Sequence, residues 1–101
     1  MIYRWTRQQI TSYIRKTARD SKRIVFTDHA NQRMKERKIS TAMILDCLCH
    51  GQIKRQPESN LHHGTLECRM EYHTAGETIG VVVAISKDNP NLIVVTAMFT
   101  A

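Results

Sequence analysis

The chain has 101 residues, 42% of them hydrophobic, and a formal net charge of +6 at pH 7. This length accommodates one domain with a single core, and the apolar content excludes an intrinsically disordered chain. No run approaches the roughly 18–20 apolar residues that a membrane-spanning helix needs, and the first residues lack the apolar region of a secretory signal. We therefore expect a cytoplasmic protein with one domain, residues 1–101.

The first half of the chain is strongly basic. Residues 1–55 hold 13 Lys or Arg against four Asp or Glu, which gives +9, whereas residues 56–101 hold two against five, which gives −3. A basic half on a small domain predicts a polyanion such as nucleic acid, or an acidic protein, as a partner.

The chain opens with a predicted helix. Thr6 and Gln9 have the spacing of a capping box, and apolar residues then recur at helical intervals until about Ser21. The run "RIVF" at 23–26 is β-branched and aromatic, which predicts a short strand.

Two more helices are predicted next. Thr27 or Asp28 caps a helix that runs to about Lys38, and Ser40 caps another. Gly51 suits the position that follows a helix and ends it.

The second half has the period of strands. "QIKRQ" at 52–56 is a predicted strand, and "PESNLHHG" at 57–64 a polar loop. Residues 65–73 alternate strictly between apolar and polar. After the turn "AGE", "TIGVVVAIS" at 78–86 is apolar on both faces, and after "KDNPN" a last strand, "LIVVTAMF", covers 92–99.

These elements predict an α+β fold. Two or three helices should pack on one face of an antiparallel sheet of three or four strands. "TIGVVVAIS" should be the central strand, with Val82 and Val83 buried on opposite faces.

The cysteines do not indicate a metal site. Cys47 and Cys49 form a C-x-C pair and Cys68 stands alone, which is neither a zinc nor a thioredoxin spacing, so buried free thiols are predicted. His62 and His63 are adjacent and cannot easily both face one ion, so we predict no metal and no cofactor.

The predicted second helix has a cationic border. On a helical wheel His29, Arg33 and Arg37 flank the apolar stripe of Ala30 and Met34. One interpretation pairs the arginines with nearby carboxylates, namely Glu36, Glu67 or Glu71. The other is an anion-binding cleft near a helix N-terminus, where free backbone N–H groups favour negative charge.

A motif carries a resemblance to a known family. Residues 29–40 have the pattern H-A-x-x-R-M-x-E-R-x-I-S, with "CR" at 68–69 and "VVVAI" and "LIVVTAM" within 81–98. The chain resembles a widespread bacterial family of small proteins that is similar to the RelE/BrnT-like toxins of toxin–antitoxin systems. The resemblance covers residues 23–98 and leaves the helix within 1–22 outside it.

The resemblance implies a RelE/BrnT-like fold and a metal-independent endoribonuclease. In such enzymes the ribose 2′-hydroxyl attacks its own phosphate, which requires a base, an acid and cations that stabilise the phosphorane. The resemblance marks His29 as acid or base and Arg33 and Arg69 as phosphate ligands. Further residues are implied for binding RNA or a partner: Glu36, Arg37, Lys54, Arg55, His73 and Thr96.

The chain also departs from that pattern. RelE-type enzymes usually place a Tyr, His or Lys on the last strand or the C-terminal tail, whereas this chain ends "TAMFTA" with no titratable side chain after Asp88. The alternative hypothesis is therefore a non-catalytic module of the same fold that binds nucleic acid or an acidic protein. The expected partner is an acidic antitoxin lying across Arg33, Arg37 and Arg69, and a homodimer is an open alternative.

Overall fold

The structure is a computed structural model that describes residues 5–60, 64–86 and 88–100. The elements in chain order are helix α1 (Arg7–Ala18), a 3₁₀ turn (Ser21–Arg23), β1 (Ile24–Phe26), α2 (Asp28–Arg37), α3 (Thr41–His50), β2 (Gln52–Ile53), β3 (Glu58–Asn60), β4 (Thr65–Thr74), β5 (Glu77–Ser86) and β6 (Asn89–Thr100). In this part of the chain no helix is long and apolar enough to cross a membrane.

The strands form one mixed sheet in the order β1-β6-β5-β4-β2, with β3 paired beside β2 on β4. The α+β class is confirmed, and β5 is central as predicted. The expected three or four antiparallel strands are wrong, because the described chain has six strands and β1 pairs with β6 in parallel. β3 falls in the predicted polar loop: its residues are exposed or half-buried, so this edge strand has no apolar pattern. β6 likewise begins inside the predicted turn.

Local side chains start the helices where the sequence predicts. Thr6 accepts a hydrogen bond from the backbone N–H of Gln9 at 3.1 Å, and Gln9 accepts one from the backbone N–H of Thr6 at 2.8 Å. Ser40 caps α3 with a similar reciprocal pair, in which Met43 Sδ accepts from the Ser40 N–H, whereas Thr27 caps α2 by accepting from the backbone N–H of Ala30 alone. The Thr27 hydroxyl also donates to the Val94 carbonyl at 3.2 Å, so this cap fixes α2 against β6.

Gly51 ends α3 for a different reason from the predicted one. Its backbone is extended (φ −76°, ψ −179°), so no left-handed conformation is required. A Cβ here would clash with the Cys47 carbonyl and lie 2.8 Å from the Glu71 carbonyl oxygen, so only glycine fits. Arg15 of α1 donates to the carbonyl oxygens of Gly51, at 2.7 and 3.0 Å, and of His50, at 3.2 Å. α1 thereby holds the connection between α3 and β2.

One hydrophobic core joins the helices to one face of the sheet. The buried hydrophobic residues of α1, α2 and α3 share a cluster with alternate residues of β4 and β5 and with residues of β6 on either side of a bulge. On β4 these are Leu66, Cys68 and Met70, and the intervening side chains point away from the core. Among the described residues no helix covers the opposite side, which we call the open face. Val83 is fully buried in the core, but Val82 on the open face is only half-buried, not buried as predicted.

We expect Asp to be tolerated at Val82 and not at Val83. At Val83 the carboxylate would be unpaired in the core and would cost several kcal/mol of a total stability of roughly 5–15 kcal/mol. At Val82 it reaches solvent beside its sheet neighbour Arg69. Urea unfolding of both variants measures the difference, and a Val83→Asp protein as stable as Val82→Asp would contradict this assignment of faces.

Candidate functional site

The strand register lines up polar side chains in rows across the open face. Directly opposed residues of antiparallel strands point to the same side of a sheet. One row contains Arg69, Val82 and Thr96. The next two rows are Gln52–Glu71–Gly80–Met98 and His73–Thr78–Thr100.

Two clefts lie next to these rows. The main cleft has a volume of about 570 Å³, and its lining includes His50, Lys54, Glu71, Tyr72, His73 and Thr78. The side cleft has a volume of about 180 Å³, and its lining includes Arg55, Glu58, Glu67 and Arg69. The ion pair of Arg69 and Glu71 lies between the clefts, because each residue lines one of them.

Arg69 is held flat against the sheet. Its side chain is only 18% exposed, and Nε lies 3.4 Å from Oε2 of Glu71, whose side chain is 16% exposed. Nε is buried and makes no hydrogen bond among the described residues, so the contact is an ion pair only. A Cβ on Gly80 would lie 3.2 Å from Nε, so glycine leaves the space that the guanidinium occupies. The arrangement gives a pre-positioned cation with N–H groups for an anion.

His73 is oriented by its neighbour on β5. Its Nδ1 lies 2.7 Å from Oγ1 of Thr78, while the ring is exposed in the main cleft. Nε2 has no hydrogen-bond partner in the described chain. Nε2 is therefore available to exchange a proton with a ligand while Nδ1 remains in contact with Thr78.

The border of α2 is mainly occupied by intramolecular contacts. Arg33 Nη1 donates to Oε1 of Glu36 at 2.7 Å, and that bond, followed by one from Gln32, holds the pKa of Glu36 below its usual value. Arg37 Nη1 donates to the Ala97 carbonyl at 2.7 Å. His29 is exposed and has no hydrogen-bond partner in the described chain. The pairing interpretation therefore holds for Arg33.

The structure does not bring the predicted catalytic residues together. α2, which carries His29 and Arg33, packs along β6, and β5 separates β6 from β4, which carries Arg69. It does gather four of the other predicted residues on the side of Arg69, namely Lys54 and His73 in the main cleft, Arg55 in the side cleft and Thr96 in the same row. Glu36 and Arg37 stay on α2.

Sequence reasoning missed Glu71 and His50 as cleft residues. The alternation of β4 places Glu71 on one face with Arg69 and His73, but the sequence indicates it only as an ion-pair partner. No local sequence signal indicates His50. It lines the cleft because Gly51 packs closely against the backbone of Glu71, which brings the C-terminal end of α3 to the cleft.

The cysteines and histidines offer no metal centre in the described part of the chain, where no three His, Cys, Asp or Glu residues could hold an ion. His62 and His63 lie outside the described residues. Cys47 and Cys68 are buried free thiols as predicted, and burial raises the pKa of each to about 12. Cys49 is only half-buried.

Comparison with known proteins gives a family. Residues 26–99 match the family described as "Domain of unknown function (DUF4258)". The chain belongs to the DUF4258 family. No curated protein and no solved structure matches it. The DUF4258 segment runs from the end of β1 into β6 and includes the residues that line both clefts except Thr100, whereas α1 precedes it.

We expect Cys49 alone to react with a disulfide reagent in the native protein. Burial keeps Cys47 and Cys68 protonated and inaccessible, and the thiolate is the reactive form. Counting thiols with and without denaturant at pH 8 measures this. A Cys49→Ser protein should show no fast reaction, and fast modification of two or more thiols in the native wild type would contradict the burial.

Proposed function

We propose that this protein is a toxin-like endoribonuclease of a toxin–antitoxin pair and cleaves RNA at its open face without a metal ion. The observation that carries the proposal is the main cleft, in which Lys54 and the oriented ring of His73 lie beside the Arg69–Glu71 pair. The resemblance of residues 29–40 to a family similar to RelE/BrnT-like toxins supports it independently.

The cleft offers the groups that cleavage by a 2′-hydroxyl requires. A phosphodiester that accepts this nucleophile gains negative charge as the phosphorane forms, and fixed cations lower the barrier. Arg69 and Lys54 are the cations beside His73, with Arg55 in the side cleft, and His73 can transfer a proton through Nε2. Arg69 supports the role best, because its guanidinium is held before substrate arrives.

The roles of the α2 border change under this proposal. Arg33 is engaged by Glu36 and Arg37 by β6, so we assign His29, Arg33, Glu36 and Arg37 to contacts with a partner and not to the reaction. The proposed partner is an acidic antitoxin segment, because carboxylates form two-point hydrogen bonds with arginine. Its path would have to pass from α2 on the helix side round an edge of the sheet to Arg69 on the open face.

A cleavage assay with single-stranded RNA in excess chelator tests the proposal. Wild-type protein should produce a 2′,3′-cyclic phosphate and leave an oligonucleotide with 2′-deoxyribose throughout intact. His73→Gln and Arg69→Gln should each lose about 10²–10⁴-fold in rate, the usual contribution of a proton-transfer group or of a transition-state cation. His29→Gln is the matched control, since its ring is exposed on α2. Loss of activity in His29→Gln alone would place the site on α2.

A non-catalytic binding module is the second candidate. One observation favours it: β6 contributes no titratable side chain to the open face, so part of the usual RelE-type set is missing. In that case RNA remains intact in the same assay but binds, and the affinity falls steeply with salt as phosphate counterions are released. If RNA is neither cleaved nor bound at low salt, both candidate functions that involve nucleic acid are excluded.

A further inference from the structure

We infer that Glu71 is the general base of the open-face site and that His73 is the acid that acts with it. The inference rests on the proposed function and gives a catalytic role to a carboxylate that otherwise appears only as the counter-ion of Arg69.

Their position on one strand supports the pairing. Glu71 and His73 are two residues apart on β4, so their side chains leave the same face of the sheet, with Cα atoms about 6.8 Å apart. Both side chains line the main cleft. The attacking and leaving oxygens are nearly in line on opposite sides of the phosphorus, so the base and the acid must approach from two sides. A separation of this order allows a phosphate between them.

The carboxylate has an oxygen available. Oε2 of Glu71 faces the Arg69 guanidinium at 3.4 Å, whereas Oε1 has no hydrogen-bond partner among the described residues. Arg69 thus fixes the carboxylate in one orientation and leaves Oε1 to accept a proton. The same guanidinium lies next to the position where the phosphorane would gain charge.

Glu71 is also the only carboxylate among the described residues that line the main cleft. The other titratable groups there are His50 from α3, Lys54 after β2, and Tyr72 and His73 on β4. Arg69 faces Glu71 from the adjacent side cleft. Cleavage requires a base that starts unprotonated and an acid that starts protonated. Of the groups in the main cleft, the carboxylate of Glu71 and the oriented ring of His73 are the best placed for these two roles.

The proposed step is balanced. Oε1 of Glu71 takes the 2′-hydroxyl proton as the 2′-oxygen forms a bond to phosphorus. The bond from phosphorus to the 5′-oxygen breaks, and protonated His73 gives its proton to that oxygen. The products are a 2′,3′-cyclic phosphate and a 5′-hydroxyl, with Glu71 protonated and His73 neutral. Both groups return to their starting states by exchange with water.

The test compares two RNA substrates with Glu71→Gln, His73→Gln and the wild type. One substrate has the normal 5′-oxygen at the scissile phosphate, and the other has a bridging 5′-sulfur, which leaves without protonation. Glu71→Gln retains an acceptor for Arg69 and should lose about 10²–10⁴-fold in kcat on both substrates. His73→Gln should lose as much on the oxygen substrate and recover near wild-type kcat on the sulfur substrate.

Glu67→Gln is the matched control, because Glu67 lies on the same face of β4 on the other side of Arg69 and lines only the side cleft. It should retain wild-type kcat. Circular dichroism and thermal unfolding check folding. If Glu71→Gln does not fold, Glu71→Asp replaces it: the shorter side chain keeps a carboxylate at a longer distance and should lower kcat on both substrates.

The outcomes distinguish failure of the Glu71 base assignment from failure of the proposed ribonuclease function. If wild type cleaves RNA and Glu71→Gln matches Glu67→Gln, the base assignment is overturned and the proposed function remains. Recovery of Glu71→Gln on the sulfur substrate also overturns it, since the residue would then serve the leaving group. If wild type cleaves neither substrate, the proposed function fails and the inference fails with it.

Discussion

The site on this protein depends on burial of the sheet from one side only. The buried hydrophobic residues of the helices belong to one core cluster with one face of β4, β5 and β6. Strict alternation along β4 then forces Glu67, Arg69, Glu71 and His73 onto the other face, where ions can be solvated or paired. The packing that stabilises the fold therefore also exposes these four polar side chains of β4. Helices packed on both faces of the sheet would have required apolar residues in their place.

The Arg69–Glu71 pair fits a functional role better than a stabilising one. A half-buried ion pair loses solvation that its Coulomb attraction only partly recovers, and apolar residues often serve stability equally well. Here the Nε of Arg69 is buried without a hydrogen bond, which is an added cost. Gly80 has no side chain and so leaves space for the guanidinium, although glycine weakens a strand interior. These local costs are typical of residues that are retained for binding or chemistry.

The local features of the fold could be predicted from the sequence, and its long-range pairings could not. Caps such as Thr6 and Thr27 act within three residues, and the alternation of β4 directly reports a half-buried strand. The parallel partner of β1 lies in β6, distant in sequence, so no local signal specifies that pairing. β3 pairs with the neighbouring strand β4, but its exposed and half-buried side chains give it no apolar pattern. The grouping of the site residues has the same limit as the pairing of β1. The helical wheel of α2 identifies His29 and Arg33 as border residues, but only the sheet order reveals that β5 and β6 separate α2 from the strand of Arg69.

The most direct measurement of where this protein meets nucleic acid is an NMR titration of ¹⁵N-labelled protein with a short RNA that carries 2′-O-methyl groups and cannot be cleaved by its own 2′-oxygen. The account predicts that the largest shift changes fall on the open face, at the amides of Glu71, His73 and Gly80 and at the Nε–H signal of Arg69, because the clefts lie there. Changes confined to α2 around His29 would contradict it.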